Sequence, residues 1–208
     1  MIETEQPVKA RILHAALNRF LSMGFSKVTM DEVADELGIS KKTMYQHFRT
    51  KDELVEAVVE WHIAIVGGRL REIMESADDF ITKLYRLWKT IGDVVSRFCR
   101  QMQEDLRRHR PDLWQRIEEG RRQILSANFG LLYDEGSRLG IIKEDLNKEI
   151  VLLVYLSAVQ GVINPEVLVR NSFSAADAFQ TIVRVMFNGI LTEPARKQFH
   201  QRIMTTIQ

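Results

Sequence analysis

Residues 29–53 read TMDEVADELGISKKTMYQHFRTKDE, and the spacing inside this stretch decides the expected architecture. Thr29 supplies an N-cap hydroxyl, and Glu32 three residues on completes a capping box. Val33, Ala34 and Leu37 share one apolar face, and Gly38 stands where a left-handed residue ends a helix. Ile39 plugs the turn. Ser40 caps a second short helix whose Met44 and Phe48 recur at i, i+4 and face inward. Thr50-Lys51-Asp52-Glu53 forms a second capping box that opens a long apolar-periodic segment. The pattern is a helix-turn-helix. Its second helix keeps Lys41, Lys42, Thr43, Gln46 and His47 off the buried face, with Tyr45 beside them. Donors, an amide and a phenol on a short exposed helix suit a major groove, and the competing reading is a solvated polar face in a helical bundle.

Outward from this stretch, the composition is that of a globular helical protein. Hydrophobic residues make up 45% of the 208 and charged residues 27%, and only four are proline. No useful run alternates apolar and polar residues, so the fold class expected is all-α. The formal net charge is +1, and the first sixty residues hold eight Lys/Arg against ten Asp/Glu. Bulk charge therefore does not announce a nucleic-acid partner. The run from Lys41 to Lys51 is nonetheless free of acids, and a local patch governs phosphate contact.

The run Gly38–Leu54, with Gly38, Ser40, Tyr45, Phe48 and Lys51 at their particular spacings, resembles the recognition-helix signature of the TetR-like family of bacterial transcription regulators. The preceding LNRFLSMGFSKVTMDEVADELG, Leu17 to Gly38, resembles that family's first two helices. The resemblance spans roughly residues 9–55. It implies an N-terminal three-helix DNA-binding domain, residues 1–50, and a larger helical domain for effector binding and dimerisation, residues 51–208. It further implies that Thr29, Tyr45, His47 and Lys51 anchor phosphates and that Lys41, Lys42, Thr43 and Gln46 face base edges, with Ser40 at the start of the same helix. Lys51 at a helix N-terminus fits an anion physically, and Gln46 can grip adenine through two hydrogen bonds.

Upstream, Pro7 opens the first helix, along which Ile12, Leu13, Ala16, Leu17, Phe20 and Leu21 recur to Gly24. Downstream, the helix beginning at Lys51 carries Leu54, Val55, Val58 and Val59 before Gly67-Gly68, where a kink or break is expected. One long amphipathic helix is expected from Asp79 to His109, a second from Asp112 to about Gly136, a third from about Lys148 to Ile163 that Pro165 ends, and a fourth capped by Ser174. A short tail helix follows from Pro194, with Phe199 and Ile203 apolar.

The segment IVLLVYLSAVQGVI, residues 150–163, is apolar on nearly every side and must be covered on every side. One solution is a four-helix bundle across a two-fold axis, with Leu152, Leu156, Val159, Phe179, Val183, Met186 and Phe187 at the dimer interface. The other is a central core helix in a monomer. A dimer also suits a short reading helix, since two copies in successive major grooves read a near-palindrome.

Trp61, Trp88 and Trp114 all fall where the family keeps its inducer pocket. The effector-binding candidates are these three with Ile65, Phe98, Met102, Arg122, Phe129 and Tyr133. Aromatic residues at helical spacing are more often core, so a packed interior competes with an open pocket. Residues 81–125 hold eleven Lys/Arg against six Asp/Glu, and Arg86, Arg97, Arg100 and Arg122 are candidates to receive an anionic effector.

Catalysis finds no support in the residues. The five histidines are scattered, and no nucleophile elbow, phosphate loop or metal-ligand cluster occurs. The expectation is a non-enzyme with no cofactor and no metal. Cys99 is alone, with a packed thiol as its role, and a reducing cytoplasm fits. MIETEQPVKARI lacks an apolar core and does not read as a signal peptide. No apolar run reaches bilayer length. The expected partners are double-stranded DNA bearing a near-palindromic operator, a second copy of the chain, and a small-molecule effector, with no membrane. The expected role is a repressor relieved by that effector. The alternatives are a helical scaffold without DNA recognition and a ligand-independent regulator.

Overall fold

The computed structural model describes residues 7–97 and 100–206. Within them the chain forms α1 (Val8–Met23), α2 (Met30–Leu37), α3 (Lys41–His47), α4 (Lys51–Glu75), α5 (Phe80–Arg97), α6 (Arg100–His109), α7 (Pro111–Arg138), α8 (Lys148–Val162), α9 (Pro165–Arg170), α10 (Ala175–Ile190) and α11 (Glu193–Thr206). The only extended pairing among the described residues is an isolated antiparallel bridge, Ile142 to Leu191. The fold is all-α, with an N-terminal helix-turn-helix followed by a larger helical region.

Packing divides the chain differently from a cut at residue 50. One compact unit contains residues 1–65 and 97–119, and the other contains residues 66–96 and 120–208. In unit 1, Ile12, Ala16 and Phe20 of α1 meet Val33 and Ala34 of α2 and Met44 of α3. Three helices of this size bury too little to stand alone. Val55 and Val58 of α4 extend the core, and so do Met102 and Leu106 of α6 and Leu113 of α7. Asp105 of α6 is also buried and accepts the Ser26 N–H at 2.8 Å and the Gln101 amide at 2.9 Å. These bonds hold its pKa below the ordinary carboxylate range against the opposing effect of burial. The close approach depends on Gly24, which has φ +83°, since a Cβ there would lie 2.5 Å from Asp105 Oδ2.

In unit 2, Leu70, Leu84, Phe129, Phe179, Phe187 and Phe199 are among the buried side chains of a second core. Lys83 of α5 is buried beside Glu135 of α7, with Nζ 3.1 and 3.2 Å from the two carboxylate oxygens. A buried cation is tolerated only when paired in this way.

Three expectations change. Helix α4 runs through Gly67 and Gly68 without interruption, so the expected break is absent. The glycine penalty of about 1 kcal/mol each is outweighed by the anchoring of the helix on both sides, through Val58, Val59, Leu70 and Ile73. Pro165 does not simply end α8: it is the first residue of α9, which Asn164 caps by accepting the Val167 N–H at 3.0 Å. The second capping box is half formed. The Glu53 N–H donates to Thr50 Oγ1 at 3.1 Å, but Glu53 Oε2 accepts from the Arg49 N–H, not from Thr50. The expected helix from Asp79 to His109 passes through residues 98 and 99, which lie outside the described residues.

The glycines supply a direct test of this packing. A Cβ at Gly68 meets nothing within 4 Å, so Gly68→Ala should stabilise the protein by about 0.5–1 kcal/mol. A Cβ at Gly136 falls 2.8 Å from buried Phe80 and Ile142, so Gly136→Ala should destabilise it by about 1–3 kcal/mol. Chemical denaturation of both variants reads the difference, and a destabilised Gly68→Ala would show that α4 needs a flexible point there.

Candidate nucleic-acid interface

The site begins with the turn between α2 and α3. Gly38 has φ +64° and ψ +28°, the left-handed conformation that closes α2, and the Ile39 N–H returns to the Ala34 carbonyl at 3.0 Å. Ser40 Oγ then accepts the Thr43 N–H at 3.0 Å and starts α3. Met44 is fully buried and Phe48 nearly so. With those two side chains fixed inward, helical periodicity turns Lys42, Tyr45 and Gln46 outward. All three are exposed, as is His47, and none of the four side chains makes a hydrogen bond or ion pair among the described residues. Tyr45 is 47% exposed, a high value for an aromatic side chain with no partner.

The remaining expected contacts are already engaged within the fold. Lys41 Nζ lies 2.5 Å from Asp31 Oδ2, and this contact raises the lysine pKa. The hydroxyls of Ser40 and Thr43 are 2.8 Å apart and bonded to each other. The Thr29 N–H and hydroxyl both donate to Glu32 Oε2, at 2.7 and 2.9 Å, so the expected capping box is complete. Those bonds also hold the Glu32 pKa down, which keeps a negative charge beside Thr29. Lys51 is half-buried and donates to the Ser26 carbonyl at 3.1 Å, and desolvation lowers its pKa. The side chains free to meet a new partner are thus Lys42, Tyr45, Gln46 and His47. Arg49 joins them. It is exposed, and its hydrogen bond to Glu53 uses only the backbone N–H. Its place inside the acid-free run between His47 and Lys51 was the available sequence signal.

The effector candidates fall in both units. Trp61, Ile65, Met102 and Trp114 belong to unit 1, whereas Trp88, Arg122, Phe129 and Tyr133 belong to unit 2. Phe98 lies outside the described residues. Met102 is buried in the first core, Trp61 meets His14 edge-on at 6.3 Å, and Trp114 lies under Arg107 at 4.9 Å. Trp88 and Phe129 line a cavity of about 40 Å³ inside unit 2. Tyr133 donates its hydroxyl to the Leu146 carbonyl at 2.7 Å, and Arg122 is exposed. Arg86 is paired with Asp78, and Arg97 donates to Asn18 at 2.9 Å, so neither waits for an anion. The side chain of Arg100 lies outside the described residues.

The dimer-interface candidates divide between the core of unit 2 and its half-buried edge. Val159, Phe179, Val183 and Phe187 are all at most 5% exposed and belong to the core of unit 2. Leu152, Leu156 and Met186 pack against the same core. The apolar side chains that α8 and α10 leave outside are Ile150, Leu153, Val154 and Val185, at 57–67% exposure. A groove of about 390 Å³ runs beside them, lined by Val154, Ala158, Val162, Ile182 and Met186 among others. A helix apolar all round does not reveal from its sequence which stripe the protomer's own core takes.

No helix among the described residues is long and apolar enough to cross a membrane, and none of their His, Cys, Asp and Glu side chains gather into a group that could hold a metal ion.

Residues 12–58 match the model of the bacterial regulatory proteins of the tetR family. The chain is 27% identical over 184 residues to the uncharacterized HTH-type transcriptional regulator YvaF of Bacillus subtilis, covering 88% of this chain and 95% of that one. It is 26% identical over 158 residues to the biofilm operon icaADBC HTH-type negative transcriptional regulator IcaR of Staphylococcus aureus, covering 73% and 84%. The fold is shared with a transcriptional regulator from Cytophaga hutchinsonii, with a TM-score of 0.67 and 20% identity over 87% of this chain and 97% of that one. Its relatives are regulators of transcription, not enzymes. The matched helix-turn-helix and the relatives agree: residues 12–58 carry a helix-turn-helix of the tetR-family kind, and the chain is a DNA-binding transcriptional regulator.

Proposed function

We propose that this protein is a homodimeric repressor that reads a near-palindromic operator through α3 and releases it when a small molecule occupies unit 2. The observation that carries the DNA reading is the outward row Lys42, Tyr45, Gln46 and His47, exposed and uncommitted on a helix whose inner face is locked. Gln46 and Lys42 reach base edges, while Tyr45, His47 and Arg49 contact phosphates. Thr29, Lys41, Thr43 and Lys51 join them by exchanging an existing partner for DNA, with Ser40 setting the start of the helix. Residues 1–50 serve as the reading head, and residues 51–208 serve effector binding and dimerisation. Repression is supported by the negative regulator among the relatives. The protein acts in the cytoplasm, where its operator is found.

A second copy is the partner that suits the exposed stripe Ile150, Leu153, Val154 and Val185, since a stripe of that kind on α8 and α10 is what a two-fold helical bundle covers. Two copies then place their α3 helices in successive major grooves, about 34–36 Å apart or a multiple of it. Effector control needs a ligand that binds the operator-competent and released states with different affinity, by about 1–3 kcal/mol. Helix α4 is the element to transmit it, because it starts beside α3 and continues without a break into unit 2. The small size of the cavity favours a second reading as well, a regulator that works without a ligand.

Two sets of variants test these assignments. Lys42→Ala and Tyr45→Phe should weaken binding to a bound duplex while leaving the melting curve unchanged. The lysine variant should reduce the salt dependence of log K by about one. Gln46→Ala should relax preference at one base pair, a loss of about 1–3 kcal/mol of discrimination. Unchanged affinity and preference in all three would remove α3 from the interface. For the dimer, Val185→Glu should yield a folded monomer in sedimentation, whereas Phe187→Glu should lose the fold. A dimer that survives Val185→Glu would move the interface elsewhere.

A further inference from the structure

The cavity of unit 2 has a chemistry that narrows the effector class, and this inference rests on the effector reading above. Its wall is aliphatic and aromatic and carries no charged side chain. Three of its residues, Trp88, Asn128 and Tyr155, carry a polar group. The indole Nε1–H of Trp88 is a donor only, and here it is buried with no hydrogen-bond partner among the described residues. Buried donors are nearly always paired, because an unmade bond forfeits the hydration that was given up. Tyr155 stacks on Phe129 with ring centroids 5.5 Å apart, and burial pushes the phenol pKa up, so the hydroxyl stays neutral. Asn128 donates to the Ile124 carbonyl at 2.7 Å.

No cation lines this wall: Lys83, the buried lysine of unit 2, is consumed by Glu135, Arg86 is held by Asp78, and Arg121, whose charge is felt at Tyr155, lies outside the lining. A carboxylate or phosphate entering this wall would lose its hydration without gaining a partner charge. An apolar ligand would gain from the wall but leave Trp88 as it is. We infer that the cavity takes a neutral, mainly apolar small molecule carrying one hydrogen-bond acceptor, and that Trp88 selects for the acceptor. At about 40 Å³ the space holds little more than water, so the ligand enters by displacing the half-buried side chains of Ile91 and Asn128, with Trp88 kept in place to donate.

The test uses the full chain and three probes of similar size: acetophenone, which is neutral with an acceptor, ethylbenzene, which has none, and benzoate, which is anionic. Heteronuclear NMR follows the three indole N–H signals, assigned with Trp61→Phe and Trp114→Phe. Acetophenone should move the Trp88 signal downfield and bind about five- to tenfold more tightly than ethylbenzene, with benzoate the weakest. Trp88→Phe should weaken acetophenone by about the same factor and leave ethylbenzene unchanged. If that variant fails to fold, the order of the three probes on the native chain still decides. Benzoate binding as well as acetophenone, equal affinity of acetophenone and ethylbenzene, or a Trp88 signal that no probe moves would each overturn the inference. Duplex binding by the ligand-free chain is measured alongside. If it persists while no probe binds, only the effector class falls. If it is absent throughout, the regulator reading itself is at fault.

Discussion

The constraint on which the reading head depends is the burial of Met44 and Phe48 behind a turn that only a left-handed residue closes. Gly38 takes that conformation and Ser40 restarts the helix, so α3 leaves the turn with one orientation. Fixing two side chains one helical turn apart, one in the seven-residue helix and one at its end, determines where the other six residues of the helix point. The exposed row of Lys42, Tyr45, Gln46 and His47 is therefore a consequence of core packing, not an independent feature. The base of that core is supplied from far along the chain, by Met102, Leu106 and Leu113. The buried carboxylate of Asp105 adds a polar tie to the loop between α1 and α2.

Electrostatics then refines the picture. Lys41, Thr29 and Lys51 have protein partners in the DNA-free chain, namely Asp31, Glu32 and the Ser26 carbonyl. Recruiting any of them means exchanging one charged or polar contact for another, which returns little net energy. On the proposed reading, the unpaired side chain of Arg49 carries the larger share of phosphate attraction, and Lys42 adds its charge from the groove. This fits a head with a small basic patch and no overall positive charge.

Much of this was legible in the sequence because local rules governed it. The capping residues Thr29, Ser40 and Ser174, the left-handed Gly38 and the inward pair Met44 and Phe48 all follow from short-range chemistry. The glycines of α4 misled because propensity is a weak prior once packing holds a helix on both sides. The short helix α9 went unseen because a proline reads equally as the end of one helix and the first residue of the next. The interface face is a different case. With apolar residues around nearly the whole of α8, nothing local separates the stripe that faces the protomer's own core from the stripe left outside. Of the effector candidates, chosen by residue type over some seventy positions, Trp61, Met102 and Trp114 pack with one core and Trp88, Phe129 and Tyr133 with the other. The cavity that does form takes much of its wall from residues outside that set, Tyr155 and Phe179 among them.

The central claim is that two copies of α3 read DNA together. Selection from a randomised duplex pool by the purified protein, at fixed near-physiological salt and followed by sequencing, tests it most directly. The account predicts an enriched near-palindrome whose half-sites are centred about one helical turn apart, or a multiple of it. Enrichment of a single half-site, or no enrichment by a chain shown to be dimeric and free of ligand, would contradict it.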